Sequence, residues 1–194
     1  MLGVMSTIGA NESSYVAWQN RATRFYLAAR CLYHSDLLAP AAYCGTISLE
    51  LIFKATLIYW DKSFDPEAAS HGMSKLVRMV SNKVPKAKGL TVPNYFYHEQ
   101  RYLMVSRYPK SHKGLGIPVT FLHDLDASFC RVVALVPFQH NTELKAVLSG
   151  RIRRSLDILR RSNKSIRDLR KWLAMGLPKP GVIPTAQEAH SGRR

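Results

Sequence analysis

The chain has 194 residues, 46% hydrophobic and 21% charged, with a formal net charge of +15. That length accommodates one domain with a real core plus an extension, and the composition excludes a disordered or fibrous chain. The charge surplus directs attention to polyanionic partners: nucleic acid, anionic lipid or an acidic protein. Cys31, Cys44 and Cys130 are odd in number, widely spaced and without a C-x-x-C pair. Neither a disulfide framework nor a zinc site is expected, and buried free thiols in a reducing compartment are the natural reading. The opening MLGVMSTIGA lacks a basic stretch followed by a sustained apolar core, so no secretory signal is expected and the chain reads as cytoplasmic.

Helical periodicity runs through almost the whole sequence. Residues 1–13 read as a flexible N-terminus. Over 14–38, Tyr15, Trp18, Ala22, Phe25, Ala29 and Leu32 recur every three or four positions, while Arg21, Arg24 and Arg30 fall off that stripe. Pro40 stands where a second helix begins, so 14–38 and 41–62 form a helical hairpin with a short turn. The second of these holds twenty mostly apolar residues from Ala41 to Trp60, long enough to cross a membrane. Glu50 and Lys54 near its centre argue against stable membrane insertion, because ionisable groups there are costly in lipid. Four residues apart in the favoured order, they suit an ion pair on a soluble helix, worth about 0.2–0.5 kcal/mol when exposed. An acidic turn follows, then a third helix over 71–83.

PKAKGLTVPN is a loop by its proline and glycine content, and a fourth helix is expected near 94–106, ending before Pro109. A fifth spans 120–136, with Leu122, Leu125, Phe129, Val132, Val133 and Val136 in register. A sixth helical region extends toward Met175, interrupted at Gly150 and at Ser162–Asn163. Between Arg151 and Lys171 it carries nine basic residues against Asp157 and Asp168. Residues 176–194, with three prolines after Gly176 and no periodicity, read as a disordered tail. The expected fold is therefore all-α: an antiparallel four- to five-helix bundle over 14–138, followed by a basic amphipathic helical extension over 139–175.

Phosphate-loop, zinc-protease and serine-hydrolase motifs are absent from the sequence, as is any acidic pair of metal-binding type. No metal site and no cofactor are expected. The pattern that remains is S-L-E-L-x-x-K-A-x-L (Ser48 to Leu57), then an acidic turn, then H-G-x-x-x-L (His71, Gly72, Leu76). A segment ending in R-Y-P (Arg107, Tyr108, Pro109) follows, and another amphipathic helix after it. This order and spacing, over roughly residues 14–137, resembles the HEPN domain family of small helical bundles.

The resemblance implies a bundle that often dimerises. Many members are RNases of toxin–antitoxin and phage-defence systems, while others bind nucleotides or RNA, or act as partner subunits. Active members use R-x4-6-H, in which the arginine stabilises phosphate charge and the histidine moves a proton at the ribose hydroxyl. Arg107 to His112 is the formal match and the candidate catalytic pair. It departs from the family pattern, because Tyr108 and Pro109 follow the arginine and a proline breaks the turn that would align the two side chains. The preferred expectation is accordingly a non-catalytic RNA- or nucleotide-binding module, a homodimer or part of a complex. Its phosphate contacts would come from Arg151, Arg153, Arg154, Arg160, Arg161, Lys164, Arg167, Arg170 and Lys171. The alternatives are a metal-independent endoribonuclease using Arg107 and His112, and an interaction subunit docking on an acidic protein. Glu50, Lys54, His71, Arg101 and Tyr108 are the candidate lining of a pocket. His34 shares a helical face with Arg30.

Overall fold

The computed structural model describes residues 15–69, 71–98, 117–136, 143–167 and 169. The N-terminus over 1–13, most of the expected fourth helix and the tail over 176–194 lie outside the described residues.

The protein is all-α. Helices α1 (Tyr15–Tyr33) and α2 (Leu38–Trp60) form a hairpin and the most extensive helix pair. α1 stops five residues short of the expected end. Asp36 there adopts a left-handed φ of 58°, and the Leu37 and Asp36 amides fold back onto the carbonyls of Leu32 and Tyr33. This reversed bonding satisfies helix-end carbonyls that have no partner within the helix. Pro40 lies in the first turn of α2, where a missing N–H costs no intrahelical bond.

α2 is covered by α1, by α3 (Met73–Lys83) and by α4 (Phe121–Val133). Its length and apolarity match a membrane span, yet most of its surface is buried against these neighbours. α3 begins two residues later than expected, after Gly72. Asp61 joins α2 to α3 by an ion pair of 3.2 Å to Lys83. Hydrogen bonds from the Ser63 side chain and amide, and then Lys83, hold the Asp61 carboxyl below the usual carboxylate range. After a 3-10 turn at Pro85–Ala87, the expected fourth helix opens as a second 3-10 turn, Asn94–His98, rather than as α-helix.

Gly45 sets the approach of α2 to α4. A Cβ built there would lie 2.8 Å from Phe121 Cζ and 3.1 Å from Leu125 Cδ2, and both of those side chains are fully buried. Gly45→Val is expected to cost about 1–3 kcal/mol, since overpacking outweighs what glycine concedes in a helix. A urea midpoint equal to or above that of the parent would contradict this close approach.

Over residues 143–160 the C-terminal region forms two short helices, α5 (Glu143–Leu148) and α6 (Arg153–Arg160), rather than one continuous helix. Gly150, at φ +83°, ends α5: its amide bonds the Val147 carbonyl and the Arg151 amide bonds the Ala146 carbonyl. That pairing is the Schellman helix stop, which glycine accommodates without steric penalty. A second break falls at Ser162, φ 56°. Leu156, Leu159, Ile166 and Leu169 nevertheless join the same hydrophobic core as α1 to α4. Asn20 of α1 accepts a hydrogen bond from the Glu143 amide at 2.8 Å, so the first turn of α5 is capped by a different helix.

Candidate polyanion-binding surface

The buried face of α1 is Gln19, Ala22, Thr23, Tyr26, Ala29 and Arg30. Its three- and four-residue spacing is ideal for a helix, but four of the six residues are polar or aromatic with a hydroxyl. Arg30, expected to lie off the packed stripe, is instead fully buried. Its guanidinium pairs with Asp126 of α4 and donates to two backbone carbonyls, Arg161 and, at 3.0 Å, Ile158. The Ile158 carbonyl belongs to the last turn of α6, so Arg30 satisfies an acceptor that the helix leaves open.

Tyr26 donates to Asp126 at 2.6 Å, accepts from the Asn163 side chain at 2.9 Å and stacks on Phe129 with centroids 4.0 Å apart. Burial pushes the Tyr26 phenol well up, with Cys130 and Asp126 adding to it, so the hydroxyl stays a donor. This polar cluster fastens the basic C-terminal segment to α1 and α4.

On the outer side of that anchor, Arg151, Arg153, Arg154, Arg160, Arg161, Lys164 and Arg167 are all exposed. Among the described residues none of the seven forms an ion pair, and Asp157 is the one exposed acid between them. The break at Ser162 turns the chain so that Arg160, Lys164 and Arg167 line one open groove of about 800 Å³ with Ser162, Asn163 and Ile166. Arg170 and Lys171 lie outside the described residues. Guanidinium groups suit forked contacts to phosphate oxygens, and among the described residues the groove lining contains no aromatic ring on which a base would stack.

The other candidate residues fall into two groups. Glu50, Lys54 and His71 do come together: Glu50 Oε1 is 2.9 Å from Lys54 Nζ and 2.8 Å from His71 Nδ1. The Lys54 side chain is 3% exposed, and its ammonium lies 5.6 Å from the Trp18 ring centroid. The pair is therefore a buried charge held by a carboxylate and an aromatic face. Arg107, His112, Arg101 and Tyr108 lie outside the described residues. Of the cysteines expected to be buried, Cys130 is buried, Cys44 is half-buried with its thiol pushed up by that burial, and Cys31 is instead exposed. Among the described residues there is no group of three metal-ligating side chains.

His34 lies beside the anchor, in a small cavity of about 220 Å³ with Cys31, Ser35, Asp157, Ile158 and Arg161. Burial, then the charges of Arg161 and Arg30, lower its pKa from the ordinary 6.5. The unfolded chain therefore binds this proton first. The stability owed to neutral His34 is complete above about pH 6.5 and is lost as pH falls from there toward the lowered value. His34→Gln is expected to flatten this part of the stability–pH curve, measured by urea midpoints between neutral and mildly acidic pH. An unchanged slope in the variant would assign it to another group.

Compared with known proteins, the chain matches no protein-family model, no curated protein and no solved structure.

Proposed function

We propose that this protein is a non-catalytic, HEPN-like module that binds RNA or a related polyanion through its C-terminal basic surface. The observation carrying this reading is the groove of Arg160, Lys164 and Arg167, exposed and unpaired among the described residues, on a segment anchored by buried Arg30. Rigid anchoring lowers the ordering cost of presenting long cationic side chains, so more of each phosphate contact appears as affinity. The cations of the groove supply phosphate contacts, which position without reading sequence and so support salt-sensitive binding with little sequence preference.

The test is the salt dependence of RNA binding by the parent and by Arg160→Ala/Lys164→Ala/Arg167→Ala. These three side chains are exposed, so the triple variant keeps the core. Losing three phosphate contacts is expected to reduce the slope of log affinity against log salt by about 2 for a single strand. Affinity at moderate salt should fall by one to two orders of magnitude. Equal affinity and slope in the two proteins would reject the site. RNA incubated with the parent protein in chelator is expected to stay intact, and cleavage abolished by Arg107→Ala and by His112→Ala would replace this reading with the ribonuclease one.

A further inference from the structure

A second recess lies along α4. Its volume is about 570 Å³, within the range of small-molecule sites at roughly 300–1,000 Å³. One wall is a single face of α4 and its last turn: Asp124, Ala127, Ser128, Arg131, Ala134 and Leu135. Lys86, Thr91 and Pro93 from the α3–α4 connection and Ser165 and Leu169 from the C-terminal segment line it from other elements, and Lys86 is a second cation at the recess. Three separate stretches of chain thus converge on it.

The distribution of charge along this wall is informative. Asp124 stands in the first turn of α4 and Arg131 near its end. Seven residues of helix separate them, which is about 10 Å along the axis. Asp124 is fixed by the Tyr95 hydroxyl, which donates to Oδ2 at 2.8 Å and leaves Oδ1 available. Among the described residues no carboxylate pairs with Arg131, which is exposed. Between the two charges the wall carries Ala127 and Ser128, small side chains that leave the recess open, and Pro93 and Leu169 contribute apolar surface.

From this geometry we infer that the recess binds a small bipolar molecule, with a carboxylate at Arg131, an ammonium at Asp124 and an apolar span between them. The guanidinium fork matches a carboxylate in two parallel hydrogen bonds. Asp124 accepts from an ammonium and repels a carboxylate, so the ammonium end of the ligand lies at Asp124, while the cations Arg131 and Lys86 favour its carboxylate end. This site is separate from the basic groove, and its ligand is not the polyanion assigned to that surface.

The test is calorimetric titration of the full chain with 8-aminooctanoate, whose charged ends are separated by an alkyl chain of about the required length, and with octanoate and octylamine. The parent protein is expected to bind 8-aminooctanoate more tightly than either singly charged compound. Arg131→Gln should weaken both carboxylates by at least about tenfold, the loss of one charge-assisted contact. Asp124→Asn should remove the preference for 8-aminooctanoate over octanoate. Ala127→Trp, at an exposed position that fills the recess, should abolish binding with the thermal melt unchanged. Failure of the parent to bind 8-aminooctanoate at millimolar concentration, or equal affinity in the parent and Arg131→Gln, overturns the inference.

Discussion

Asp126→Asn is expected to destabilise the protein by about 3–5 kcal/mol, the cost of leaving a buried charge without its partner. Arg30 and Asp126 are 0% and 1% exposed at the side chain, so water cannot replace the lost countercharge. The neutral amide also gives up the ionised acceptor that Tyr26 uses. Urea unfolding followed by circular dichroism measures the change, and a loss below about 1 kcal/mol, the range of surface ion pairs, would show that the pair is solvated. Replacing both partners, Arg30→Met with Asp126→Leu, is expected to cost less than the two single changes together. It removes the stranded charge but still abandons the carbonyls of Ile158 and Arg161.

Burial raises the Asp126 carboxyl above the usual carboxylate range, against the pull of Arg30 and the hydrogen bonds it accepts from Arg30 and Tyr26. The folded protein therefore holds this proton more tightly than the unfolded chain does. Its contribution to stability is complete below the ordinary carboxylate value and is lost as pH rises through the raised one. The acid sensitivity expected here comes from His34 and, at lower pH, from Asp61, whose lowered carboxyl stabilises the fold above its ordinary value and ceases to do so as it protonates.

Truncation after Ser149 is expected to abolish cooperative folding. It removes Leu156, Leu159, Ile166 and Leu169 from the core and strips Arg30 of both carbonyl acceptors. Deleting one buried leucine beyond its Cβ costs about 2–5 kcal/mol, against a typical total stability of about 5–15 kcal/mol. A cooperative melt at the parent temperature would show that the C-terminal segment is an appendage. For this reason the basic surface is tested by exchanging its exposed side chains rather than by deleting them with their backbone.

Much of the helical order was legible in the sequence because apolar spacing and breakers act locally. Pro40 in the first turn of α2 and Gly150 at the end of α5 fall where their backbone chemistry requires. The face of α1 was legible only in part: Ala22 and Ala29 of the expected stripe are fully buried. Trp18, Phe25 and Leu32 draw the eye to one stripe, whereas the deepest positions hold Gln19, Thr23, Tyr26 and Arg30. A polar side chain becomes a core residue when distant groups satisfy it, and those of Arg30 lie 96 to 131 positions away. The juxtaposition of Glu50 with Lys54 follows from helical spacing, but the burial of Lys54 and the placement of His71 on the same carboxylate depend on how α1 and α3 close over α2.

By itself the sequence determined the all-α class, the hairpin of α1 and α2, the breaks at Gly150 and Ser162–Asn163 and the concentration of positive charge after Gly150. These rest on backbone preference, periodicity and composition, each readable within a few turns of chain. The tertiary structure decided that the basic segment is built into the core. It also decided that Arg30 is the anchor and that Arg160, Lys164 and Arg167 share one groove. Those facts depend on which remote carboxylate, carbonyl or leucine meets each residue, and no local spacing encodes that meeting.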